Sequence, residues 1–184
     1  MSLITFPQFP EYKVYISLYT NINPENISTI KSNLIAANSK YDYCFLNTKY
    51  IISKEHLLQS IHKSLLNYKN NCMTSKNLNS EIILNLSPLN NIGDALKKFG
   101  ISEDCPNSII VKIIKDDESN DFDLNEIING NVVDITDEYI FDQLVDLPKF
   151  RKLYKLNDAK LDKDGDVQGQ LTRLAIGACI LRGC

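Results

Sequence analysis

Apolar residues alternate with polar ones over 12–18, where Val14, Ile16 and Leu18 point to one side; this is the period of a half-buried strand. Asn23-Pro24-Glu25 follows, a capping side chain, a proline suited to a first helical turn, and an acid that complements the helix dipole. Ile27, Ile30, Leu34 and Ile35 carry that helix forward at helical spacing. Tyr43 and Phe45 alternate with Asp42 and Cys44, which predicts a second strand over 41–46. The clearest helix is capped by Ser53 and runs to about Asn70, with Leu57, Leu58, Ile61, Leu65 and Tyr68 along one stripe.

Beyond it, residues 81–86 read as a strand closed by Ser87-Pro88. Asn90 or Asn91 then caps a short helix carrying Ile92, Ala95, Leu96 and Phe99, stopped by Gly100. The β-branched run over 108–114 predicts a well-buried strand, and the acidic stretch 116–123 an exposed loop. A short strand at 132–135 leads into a helix capped at Thr136 and running through Val145. Pro148 opens another helical turn to about Leu156, and the polar segment 157–169 precedes a last helix over 170–181. This order predicts an α/β fold: one two-layer domain spanning 1–184, with a mixed central sheet flanked by helices and a C-terminal helix.

Composition narrows the function. The chain has 184 residues, 43% apolar and 23% charged, which suffices for a sizeable core without staples. Its formal net charge of -3 supplies no global field for nucleic acid, and Arg151, Arg173 and Arg182 are its only arginines. Any RNA contact must therefore be local and lysine-based. The five cysteines, Cys44, Cys72, Cys105, Cys179 and Cys184, are odd in number and show no C-x-x-C spacing, so neither a disulfide framework nor a zinc ribbon is supported. No charged-then-apolar leader opens the sequence and no apolar run approaches a membrane span, which predicts an intracellular, reducing location.

Candidate chemistry is sparse. His56 and His62 stand six apart on the predicted long helix, on different faces, and cannot share a metal. Asp162-Lys163-Asp164-Gly165-Asp166 starts like a calcium loop, but its glycine comes two positions early and Arg173 stands where a bidentate glutamate belongs; it reads as a solvated turn. Phosphate loops, nucleophile elbows and H-E-x-x-H are missing from the sequence, which predicts no catalytic residue, no metal and no cofactor.

Two regions remain informative. Leu171, Leu174, Ala175, Gly177, Ala178 and Leu181 lie along one broad stripe of the last helix, widened by Ile176 and Ile180. Such a helix either packs into its own core or offers a surface to a partner. Lys69, Lys76, Lys97 and Lys98 surround 77–102; they are either a solvated face or a small phosphate-contacting patch.

Residues 77–102 read NLNSEIILNLSPLNNIGDALKKFGIS. The contiguous S-E-I-I-L-x-L-S-P, N-N-I, D-A-L and K-K-F-G-I resemble the signature of the small kinase-binding subunit of the KEOPS (EKC) complex. Gln8-Phe9-Pro10, R-K-L-Y-K-L at 151–156 and I-L-R-G at 180–183 resemble fungal members, so the similarity spans the chain.

The resemblance implies a non-enzymatic subunit that binds the small atypical kinase/ATPase of KEOPS, and through it the other subunits. It implies a role in threonylcarbamoylation of the adenosine beside the anticodon of tRNA, work in nucleus and cytoplasm, and a link to telomere maintenance. It makes Leu171, Leu174, Ala178 and Leu181 the expected kinase contacts, and Lys69 and Lys76 the expected contacts to the tRNA 3′ CCA end. Lys76 stands where relatives commonly carry arginine; lysine keeps the charge and loses the planar fork. The alternative is an independent tRNA-binding module.

Overall fold

The computed structural model describes residues 1–116, 123–162 and 164–182, so most of the expected acidic loop lies outside the described residues, as does Cys184. The chain packs as two compact units, Met1–Asn47 with Gly100–Asp134, and Thr48–Phe99 with Ile135–Cys184. Helices and sheet together give the α/β class that the alternation predicts.

The first unit is built on five strands, β1 (Ser2–Ile4), β2 (Tyr12–Thr20), β3 (Cys44–Asn47), β4 (Ser108–Lys115) and β5 (Asn131–Val133). Their order is β1-β2-β4-β3, and β5 shares with β1 the outer edge of β2. β2 and β4 form the spine, paired from Tyr12–Lys115 to Tyr19–Ser108. Helix α1 (Pro24–Ile35) covers one face, where Ile27 and Ile30 meet Tyr19, Phe45 and Ile110 in a buried cluster. The predicted cap is in place: the Asn23 side chain accepts from the Glu25 amide at 2.9 Å.

The second unit is helical: α2 (Lys54–Lys69), α3 (Leu78–Leu86), α4 (Ile92–Phe99), α5 (Asp137–Tyr139), α6 (Leu147–Leu153) and α7 (Val167–Ile180). α5 runs on through one wide π-type turn, Ile140–Leu144, closed by a Val145 amide to Ile140 carbonyl bond of 3.0 Å. The Ser53 and Thr136 caps form as read from the sequence.

Two expectations need correction, and one element was missed. Residues 81–86 are not a strand but the body of α3. Asn77 caps it, accepting from the Ser80 amide at 2.8 Å, and its apolar side chains are buried all around, so they show no helical period. The sheet is not mixed: every pairing among the described strands is antiparallel. With 81–86 helical, the chain enters β4 beside β3 without the parallel strand that a β-α-β crossover would have supplied. The sequence also hid β1, which pairs with β2 through its backbone while its side chains stay largely exposed.

Candidate functional site

Helix α3 organises the surface of interest. Its first turn carries Glu81, whose carboxylate is fully buried. Asn67 donates to it at 2.7 Å, the Thr74 amide at 3.1 Å, and the Ser75 amide and hydroxyl each at 2.8 Å. Burial pushes this carboxyl up, but the four donors outweigh it and hold it below the ordinary glutamate range. The charge thereby orders the connection between α2 and α3, including the residue before Lys76.

The other end of α3 leaves carbonyls without helical partners. Tyr154 donates its hydroxyl to the Leu86 oxygen at 2.6 Å, and the Cys179 thiol reaches the same oxygen at 3.3 Å. Arg182 donates to the Leu84 oxygen, to the Ser87 oxygen at 3.0 Å and to Asn85 Oδ1 at 3.3 Å, placing a cation at the negative end of α3. The last turn of α7 is thus tied to the signature segment.

Because the Tyr154 proton is used on Leu86, the 3.1 Å contact between its oxygen and His56 Nε2 requires Nε2–H to donate. His56 is then the tautomer with a bare Nδ1, a buried atom without a hydrogen-bond partner. Burial pushes its pKa down to about 4, so it is neutral at physiological pH. Burial likewise pushes the Cys179 thiol up to about 12 and the Cys44 thiol further, leaving both protonated and unreactive.

Helix α7 is two-sided. Asp166 caps it, accepting from the Gly169 amide at 2.8 Å. Leu171 and Ala175 are fully buried, and Thr172 donates to the Ser53 hydroxyl at 2.9 Å. On the opposite side Leu174, Ile180 and Leu181 are 41%, 63% and 66% exposed. Ala178 is half-buried between these faces. Of the four residues expected on one contact surface, Leu171 therefore belongs to the core, because it falls on the half of the helix that packs against α2 and α3. A cleft of about 230 Å³ runs between α2 and α7, lined by Gln59, Lys63, Asn85, Ile176 and Ile180 among others.

Lys69 closes α2 and Lys76 lies in the ordered connection to α3; both are exposed, as are Lys97 and Lys98 at the end of α4. The acidic run near 162–166 serves local order: Asp162 accepts from the Asp164 amide at 3.1 Å and Asp166 caps α7, while Lys163 lies outside the described residues. Among the described residues no group of three or more histidines, cysteines and acids could hold a metal.

Ile180, which sequence reading placed only at the margin of the stripe, is among the most exposed apolar residues of α7, and its spacing from Ile176 was the available signal. Arg182 and Glu81 carried no such signal: Arg182 binds residues far away in sequence, and Glu81 reads as the first residue of a strand, whereas it stands in the first turn of α3.

Fold and site together define an α/β protein whose last helix is pinned on one face and apolar and exposed on the other. The sequence matches the family model "Kinase binding protein CGI-121" over residues 19–183, and the chain belongs to that family. It is 60% identical to a Candida albicans protein named EKC/KEOPS complex subunit CGI121, over 98% of each chain. Proteins of the same name from Debaryomyces hansenii and Schizosaccharomyces pombe are 52% and 34% identical, covering 96% and 85% of this chain and 95% and 89% of their own.

Proposed function

We propose that the chain is a non-catalytic subunit of a KEOPS/EKC complex and binds that complex's small atypical kinase/ATPase through the outward face of α7. Leu174, Ala178 and Leu181 make the contact, and Leu171 instead fixes the helix to its own unit. One observation carries this reading: large apolar side chains stay exposed on a helix whose other face is fully packed. The names of the relatives supply the partner. In this role the chain supports threonylcarbamoylation of tRNA in nucleus and cytoplasm and contributes to telomere maintenance.

Lys69 and Lys76 are the proposed contacts to the tRNA 3′ end; their exposure, and the ordering of the adjoining loop by Glu81, support this. Leu174→Glu should abolish co-purification with the kinase while the far-ultraviolet spectrum is unchanged; retained co-purification defeats the reading. Were the chain an independent tRNA-binding module, the lone protein would bind tRNA with an affinity falling steeply with salt. Gel shifts with tRNA lacking its CCA end separate the two.

A further inference from the structure

Gly177 lies inside α7, three residues after Leu174 and four before Leu181, on the outward side of the helix. A glycine at an interior helical position lowers the folding equilibrium about fivefold relative to alanine. At two other glycines a close approach explains the choice. A Cβ on Gly130 would come within 2.9 Å of the Thr20 carbonyl oxygen, and one on Gly169 would run into the Asp166 carboxylate that caps α7. At Gly177 an added Cβ would meet nothing within 4 Å among the described residues. Nothing in the described structure calls for the gap.

What surrounds the gap is apolar and exposed. Leu174, Ile180 and Leu181 flank it at 41%, 63% and 66% exposure, and Arg173 is exposed at the same side. The result is a notch of bare backbone between two leucines. A side chain from outside can reach the main chain there, whereas a Cβ would hold it off.

We infer that Gly177 is the specificity-determining point of the docking face: a bulky apolar side chain of the kinase enters the notch between Leu174 and Leu181 and touches the backbone of α7. The inference rests on the docking reading above and says where the contact closes. Buried anchors of this kind, seated in a small pocket, dominate the energy of many interfaces.

The test compares Gly177→Ala, Gly177→Leu and Leu174→Glu in the full chain, by thermal unfolding and by titration against the purified kinase. Gly177→Ala should raise Tm by about 2–4 °C while weakening binding about fivefold or more. Gly177→Leu, whose Cβ would likewise meet nothing within 4 Å among the described residues, should unfold no earlier than wild type and lose at least about a hundredfold in affinity. Wild-type affinity in both glycine variants, with binding lost in Leu174→Glu, would overturn the notch and leave the docking face standing. Wild-type affinity in Leu174→Glu would remove the docking face itself. A lower Tm in Gly177→Ala would assign the glycine to the chain's own packing and overturn the inference. Light scattering that showed a dimer of the lone chain, dissolved by Gly177→Leu, would assign the notch to a second copy and overturn the kinase as its occupant.

Discussion

Helices α3 and α7 belong to the same unit and draw on the same vocabulary of isoleucine and leucine. In α3 every residue from Glu81 to Leu86 is buried, including a charged one that brings four donors with it. In α7 burial is confined to Leu171, Thr172 and Ala175, and side chains just as apolar face water three residues later. The two helices differ in how many sides are occupied by neighbours. An apolar helix surrounded on all sides is finished, whereas one packed on a single side leaves a surface whose exposure has a cost until something covers it.

The sharpest way to break this contrast is a charge in α3. Ile82→Asp should cost about 4 kcal/mol or more and leave the helical unit unfolded, seen as loss of cooperative urea unfolding. Within α7 the comparison becomes internal: Leu171→Ala should cost about 2–5 kcal/mol in urea unfolding. An effect at Leu171 as small as a surface substitution would mean that the helix is not pinned as described.

Protons test the other end of α3. His56 is held neutral by burial, with a pKa near 4 against an ordinary 6.5. The unfolded chain therefore binds the extra proton first, and stability falls as pH drops from about 6.5 towards 4, by roughly 3 kcal/mol in all. His56→Gln should flatten that part of the stability profile; an unchanged slope would show that His56 is not neutral in the fold. Glu81 behaves similarly at lower pH. Its carboxyl is held below the unfolded value, so its contribution is complete above the ordinary glutamate range and fades as the pH falls through the native value. Glu81→Gln should cost about 1–3 kcal/mol at neutral pH, measured by denaturant titration, with the difference from wild type shrinking in acid. The smallest effect belongs to the exposed face. Leu174→Ala should change stability by less than about 0.5 kcal/mol, and a larger loss would place that side chain in the core after all.

These contrasts explain what the sequence could tell. Caps were readable because their chemistry is local: Asn23, Ser53 and Thr136 each bond a backbone amide within three residues. The segment 81–86 was not readable as a helix, since side chains buried all around erase the period that distinguishes helix from strand. β1 was invisible for the opposite reason: hydrogen bonds to β2 hold it, and its side chains carry no core pattern. At the site, the sequence showed that α7 was apolar but not which arc faced inward, so Leu171 and Leu174 looked alike. The bonds from Arg182 to Leu84 and Ser87 link residues that no local pattern connects.

The phenol of Tyr154 gives the molecule a built-in optical gauge. The chain contains nine tyrosines and no tryptophan, so its near-ultraviolet absorbance above the peptide band is dominated by phenol rings. Tyr154 packs tilted against Phe150 with ring centroids 4.5 Å apart, and burial raises its pKa well above that of a solvated phenol. During an alkaline titration this ring should turn to phenolate only when the helical unit opens. In the same way, any indole emission that appears on mixing with a partner belongs wholly to that partner, because this sequence carries no tryptophan.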